Sequence, residues 1–177
     1  DEDETLRELE KKNDKALDDA RRTIEEVIRR NEEVLKRAAE EIEKLERKNK
    51  RVLEEVKRRD SRDDVLRKIE DSSRKLKEDL RRVLEDLKRT SEELKRKLRE
   101  VLKRLEDSSR RLKDELRKRR VTEELAEEVK RHDDRVRKEI EKLKREVEKH
   151  DREVKETIDR LAKKVDDHLK ELRDTTR

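Results

Sequence analysis

Residues 64–81 read DVLRKIEDSSRKLKEDLR, residues 82–99 read RVLEDLKRTSEELKRKLR, and residues 100–117 read EVLKRLEDSSRRLKDELR. The three blocks align without a gap, and their apolar positions recur at steps of three and four. That spacing gathers side chains on one face of an α-helix. Eighteen residues make five turns at about 3.6 residues per turn, so a stripe with this period stays on one side of a straight helix. A seven-residue period winds a left-handed supercoil instead.

The same period runs on either side of these blocks. Upstream it carries Leu6, Leu9, Leu17, Ala20, Ile24, Val27, Leu35, Ala38, Ile42 and Leu45; downstream it carries Leu125, Val129, Val136, Ile140, Leu143, Val147, Ile158, Leu161, Val165 and Leu172. Two segments break it, KRRDSRDD at 57–64 and RKRRVTEE at 117–124. Each places cations first and carboxylates after a hydroxyl. A helix C-terminus followed by a helix N-terminus has this order, because the macrodipole favours cations at the former and anions at the latter. Ser61 with Asp64 has the spacing of a capping box, and Thr122 is a second cap with Val121 before it as a staple. The spacing therefore predicts an all-α chain: a single antiparallel, up-down-up, straight three-helix bundle over 1–177. Its helices run over about 4–59, 62–119 and 123–175, each about 55 residues and about 80 Å long.

Polar residues interrupt the stripes at the same period. The first helix has Asn13, Asn31 and Asn49, the third has His132, His150 and His168, and the second has Ser72 with Ser73, Thr90 with Ser91, and Ser108 with Ser109. In an antiparallel pair, residues at equal height have numbers with a constant sum. The numbers of Asn13 and Ser108, of Asn31 and Thr90, and of Asn49 and Ser72 each add to 121. Those of Ser109 and His132, of Ser91 and His150, and of Ser73 and His168 each add to 241. The midpoints fall at the two segments already read as turns. Three layers follow: Asn13 with Ser108, Ser109 and His132; Asn31 with Thr90, Ser91 and His150; Asn49 with Ser72, Ser73 and His168.

An unpartnered buried polar group costs about 1 to 3 kcal/mol, whereas amide, hydroxyl and imidazole together supply donors and acceptors. A closed set of them fixes which helices face each other and in which register, since a slip sets polar groups against Leu. Imidazole titrates near 6.5 and burial disfavours its charged form, so His132, His150 and His168 are also candidate acid sensors.

Other chemistry finds little purchase. The sequence is 63% charged and has no Gly, Pro, Cys, Met, Phe, Tyr or Trp, so it has no disulfide framework, no thiolate nucleophile and no base-stacking aromatic. Its net charge of +5 comes from bases and acids interleaved at nearly every turn, which cancels the one-signed field that nucleic acid requires. Successive histidines stand about 27 Å apart along a helix. Each layer then offers one imidazole, which predicts neither a metal site nor another cofactor. A Ser and a His share each layer, but a Gly-free bundle supplies no clefted loop or oxyanion hole, and no catalytic residue is predicted. No apolar run reaches the roughly 18 residues of a membrane span, and the acidic start Asp1-Glu2-Asp3-Glu4 is unlike a signal peptide. The chain reads as soluble, without a leader, and gives no compartment.

With its 18-residue stripes of Leu, Ile and Val and its Asn, Ser/Thr and His layers, the whole chain resembles computationally designed helical bundles that carry modular buried hydrogen-bond networks. The resemblance is one of construction. It implies a structural scaffold with no substrate, no cofactor and no required partner, monomeric or self-associating through swapped helices. It also implies that histidine-containing networks make the bundle come apart or rearrange in acid. The alternative is a coiled-coil interaction module, similar to a spectrin-like three-helix repeat, that binds a helical partner or self-associates along an apolar stripe. Specific membrane binding is not expected, because the apolar faces lack Trp and Phe and the polar faces are not selectively basic.

Overall fold

The computed structural model describes residues 2–56, 62–118 and 122–175, with the side chains of residues 2, 3, 53, 56, 62, 72 and 175 excepted. It contains three α-helices: α1 (Glu2–Val56), α2 (Arg62–Lys118) and α3 (Glu123–Thr175). They pack as a three-helix bundle. Ser61 and Val121 lie outside the described residues, and with them the first cap and the staple of the second. At Thr122 the cap is visible. Its carbonyl accepts from the Leu125 and Ala126 amides, both at 3.1 Å, and its Oγ1 accepts from the Leu125 amide at 3.4 Å. These bonds satisfy amide groups that a helix start leaves without intrahelical partners. Acidic residues follow in the first turn of α3, Glu123 and Glu124, and of α2, Asp63 and Asp64; Arg117 and Lys118 close α2. All complement the helix dipole.

Packing gathers the chain into two compact units, residues 1–28 with 90–150 and residues 29–89 with 151–177. Each unit takes one segment from every helix. In the first unit α1 and α3 run parallel, as the ion pairs Arg21 to Glu139 (2.5 Å) and Arg135 to Asp14 (3.2 Å) require. There α2 runs antiparallel to α3, with Lys113 beside Asp133 at 3.6 Å. In the second unit Lys77 pairs with Asp166, and Arg173 with Glu70 at 3.7 Å, which is again the antiparallel register. Such exposed pairs contribute about 0 to 1 kcal/mol each. They report the register more than they hold it.

Burial holds it. The first unit has two apolar clusters, one around Leu17, Ile24, Leu94, Leu105, Val136 and Val147, and a smaller one of Leu6, Leu112 and Val129. Between them, in sequence on each helix, stand Asn13, Ser109 and His132. The second unit is built on Ala38, Ile42, Leu161 and Val165, with Leu76, Leu80 and Leu169 against them. Among the described residues Val34, at 37% exposed, is the sole large apolar side chain on the outside. The stripes face inward, which is what the 18-residue period demands of helices that carry charges everywhere else.

Because full burial of a Leu stabilises by about 1.5 to 3 kcal/mol and its truncation also leaves a cavity, Leu94→Ala at a 1% exposed site lowers stability by about 3 kcal/mol in urea unfolding. Val34→Lys changes it by no more than about 0.5 kcal/mol.

Candidate functional site

The polar residues inside the stripes are the candidate site. Asn13, Asn31, Asn49, Ser73, His132, His150 and His168 are all buried; Thr90, Ser91, Ser108 and Ser109 are half-buried. The side chain of Ser72 is outside the described ones. Each sits where its helix turns its apolar face inward, three or four residues from the apolar residues on either side. Asn31, Thr90, Ser91 and His150 stand at the chain positions where the two units divide, and each takes part in polar interactions.

In the second unit Asn49 and His168 meet. The amide Nδ2 of Asn49 lies 3.0 Å from Nε2 of His168. An amide nitrogen only donates, so Nε2 accepts and the neutral ring carries its proton on Nδ1. This bond joins α1 to α3 directly. Burial lowers the pKa of His168 below 6.5, and Lys50 acts in the same direction, while Glu46 and Glu171 oppose them. Ser73, on α2, is fully buried and its hydroxyl has no hydrogen-bond partner among the described residues.

The first unit is arranged differently. A guanidinium nitrogen of Arg135 lies 3.1 Å from Nδ1 of His132, and the same nitrogen reaches Asp14 on α1 at 3.2 and 3.4 Å. Arginine has no acceptor, so Nδ1 accepts and the proton of the neutral ring is on Nε2. His132 and His168 are thus opposite tautomers. The Nε2 of His132 is buried without a partner among the described residues. Ser109 donates to Asp133, which also receives Arg137 Nε at 3.4 Å and Lys113 Nζ at 3.6 Å. The layer's hydroxyl is therefore held by a carboxylate one residue beyond the histidine. Nearby on α1, burial pushes the Glu10 carboxyl up; His132 and Arg135 counter this, and Glu128 and Asp14 add to it.

Asp133, Arg135 and Glu10 were not singled out by the periodicity. One signal pointed to the first of them: the dipeptide His-Asp recurs at 132–133 and 150–151, one period apart, which places a carboxylate beside the stripe twice. Among the described residues no group of three or more His, Cys, Asp or Glu could hold a metal ion. Nor is any described helix long and apolar enough to cross a membrane.

No protein-family model matches the chain, and no curated protein does. Among solved structures it is similar to one described as a computationally designed three helix bundle, with a TM-score of 0.52 and 17% identity over 99% of this chain and 91% of that one. At that identity the likeness concerns the fold.

Two substitutions separate a satisfied buried polar group from an unsatisfied one. Ser73→Ala removes a hydroxyl without a partner and raises stability by about 1 kcal/mol, whereas Asn49→Ala strands a buried ring nitrogen and lowers it by about 2 kcal/mol. Urea midpoints at pH 8 measure both.

Proposed function

We propose that the chain is a designed structural scaffold, a bundle whose buried Asn, Ser, Thr and His residues select helix partners and register, and that acid loosens it through its histidines, His168 among them. The observation that carries this reading is the buried Asn49 to His168 bond between α1 and α3. A slip of α3 by one turn sets Asn49 against Val165 or Leu172 and leaves two buried polar groups without partners, at about 1 to 3 kcal/mol each. The 18-residue repeat supports the reading, as does the shared fold with a bundle described as designed. The inward-facing stripes favour it over a module that docks a helical partner, because a docking module needs an apolar stripe left over.

The acid response follows from His168. Its folded-state pKa lies below the unfolded value of 6.5, so the unfolded chain binds the proton more readily. The contribution to stability is complete above pH 6.5 and is lost as pH falls from there through the lowered folded value. The charged groups around the ring are Glu46 and Lys50 on α1 and Lys164, Asp167, Glu171 and Asp174 on α3. On α2, Glu70 and Lys77 are engaged by Arg173 and Asp166. Burial outweighs all of them in setting the direction.

Circular dichroism in mild denaturant and light-scattering mass, followed from pH 8 to pH 3, test the acid response. The parent loses stability below about pH 6.5; His168→Asn recovers much of that loss, and a triple variant with His132 and His150 also changed to Asn is flat down to about pH 5, where carboxylates begin to titrate. Coincident curves for parent and triple variant would sink the acid response. Pairing is tested apart from it: replacing Asn49 and His168 together by Leu raises the urea midpoint but broadens the mass distribution beyond that of the parent. An unchanged mass removes the pairing role.

A further inference from the structure

A groove of about 320 Å³ runs between α1 and α2 in the first unit. Ala16, Ala20 and Thr23 of α1 and Leu98 and Val101 of α2 line it; Ala16, Thr23 and Val101 are half-buried, so apolar surface here is still open to water. The Thr23 hydroxyl is engaged, since it donates to the Asp19 carbonyl at 2.9 Å. This groove departs from the repeat. One period later on α1, Val34 takes the place of Ala16 and Glu41 that of Thr23, so the groove lacks the γ-methyls that valine would bring and the charge that glutamate would.

The rest of the charge differs as well. Four cations, Lys12, Lys15, Lys97 and Arg104, and two anions, Asp19 and Glu100, are the charged part of the lining. One period away, forward on α1 and back on α2, the same positions together with Glu41 hold Arg30, Arg37 and Arg82 against Glu33, Glu41, Asp79 and Asp86. A surplus of cations becomes a surplus of anions. In the antiparallel register Arg104 stands level with Leu17, Glu100 with Arg21 and Lys97 with Ile24, since each pair of numbers adds to 121. Lys12, Lys15 and Arg104 therefore gather at the end of the groove nearer the start of α1, while both carboxylates lie at its middle and Lys97 at its far end. All four cations are exposed, and none is in an ion pair among the described residues.

We propose that this groove binds a single-chain alkyl carboxylate of medium length, its head beside Lys12, Lys15 and Arg104 and its tail laid past Ala16 and Ala20 towards Thr23. From Lys12 to Thr23 the helix rises about 16 Å, which gives an alkyl chain room to lie along it. Burial of methylenes supplies the affinity. The cations choose the sign of the head, by a several-fold factor only, because exposed charges act through water. Other occupants match the groove less well. A helix is about 10 Å across and too wide for this volume, a second copy laid symmetrically on the groove sets the cationic surplus against itself, and an inorganic anion leaves the apolar lining wet.

Octanoate, octylammonium and acetate are the probes, titrated into the intact chain at about pH 8, where carboxylate and ammonium are both charged, while methyl resonances are followed by NMR. Octanoate is expected to bind with a Kd of about 1 mM, typical of so few atoms, with nuclear Overhauser contacts between its chain and the methyls of Ala16, Leu98 and Val101. Octylammonium binds about fivefold more weakly, and acetate leaves those methyls unmoved. Ala16→Leu, which fills the groove from a half-buried position, weakens octanoate by about fivefold or more. Changing Lys12, Lys15 and Arg104 together to Gln erases the preference for octanoate over octylammonium, and Val34→Lys in the other unit changes neither affinity. The proposal is overturned by no contacts at about 20 mM octanoate, well above that Kd, by contacts centred away from these methyls, by equal binding of octylammonium to the parent, or by acetate moving the same methyls. Line broadening by phosphatidylglycerol vesicles with no response to octanoate makes the groove a membrane surface, which also overturns it.

Discussion

Five turns of α-helix close on 18 residues, and everything else in this protein depends on that commensurability. Because the stripe neither drifts nor winds, a residue type placed once can be placed again at the same azimuth one period later. The chain uses this to alternate apolar clusters with polar interruptions on three helices at once. Its extreme charge content is compatible with order for the same reason. The charged residues occupy the rest of each circumference, where water screens them and neighbouring signs cancel, while a narrow set of Leu, Ile, Val and Ala is turned inward. No aromatic anchor is needed when the apolar surface is this regular.

The polar interruptions obey a harsher rule, which is that buried donors and acceptors need partners. Asn49 and His168 satisfy one another across two helices. Around His132 the same residue types meet a different outcome, because Arg135 and Asp133, one turn or one residue away on the same helix, reach inward and take the available atoms. Long charged side chains lie along apolar surface and carry their heads to whatever polar group is nearest. In a chain so rich in charge they compete with the interior residues for hydrogen bonds. Among the described residues the first unit consequently ends with a lone donor, and the second with a direct bond and a lone hydroxyl.

How much of this is legible in the sequence follows from what spacing encodes. Three amphipathic helices can be read from the period of Leu, Ile and Val, and antiparallel neighbours from the constant sums that relate Asn13 to Ser108 and Ser109 to His132. That Asn and His lie inside follows from phase, since they continue the stripe. The bond between Asn49 and His168 is a matter of proximity, which the sums also contain. What spacing does not contain is the choice among partners that are equally close. Ser109 stands level with His132 and bonds to Asp133; Ser73 stands level with His168 and bonds to nothing among the described residues. Those outcomes depend on rotamers and on the reach of flanking side chains. The same holds for the opposite tautomers of His132 and His168, which are set by a guanidinium in one case and an amide in the other.

Asparagine is an unusual partner for a group that changes charge, because its side chain is nearly symmetric in shape and opposite in polarity at its two ends. The Asn49 amide now offers its nitrogen to a neutral ring. Turned over by half a rotation about its last bond, the same amide offers its oxygen to a protonated one, with little change in the volume it fills. The contact between α1 and α3 is therefore ambidextrous: it has a good geometry for each charge state of His168. What acid confronts at this position is the difficulty of keeping a charge away from water, and not the loss of the bond itself. A hydroxyl could also switch roles, but it would bring no dipole large enough to settle the charge, and a Leu would offer nothing in either state.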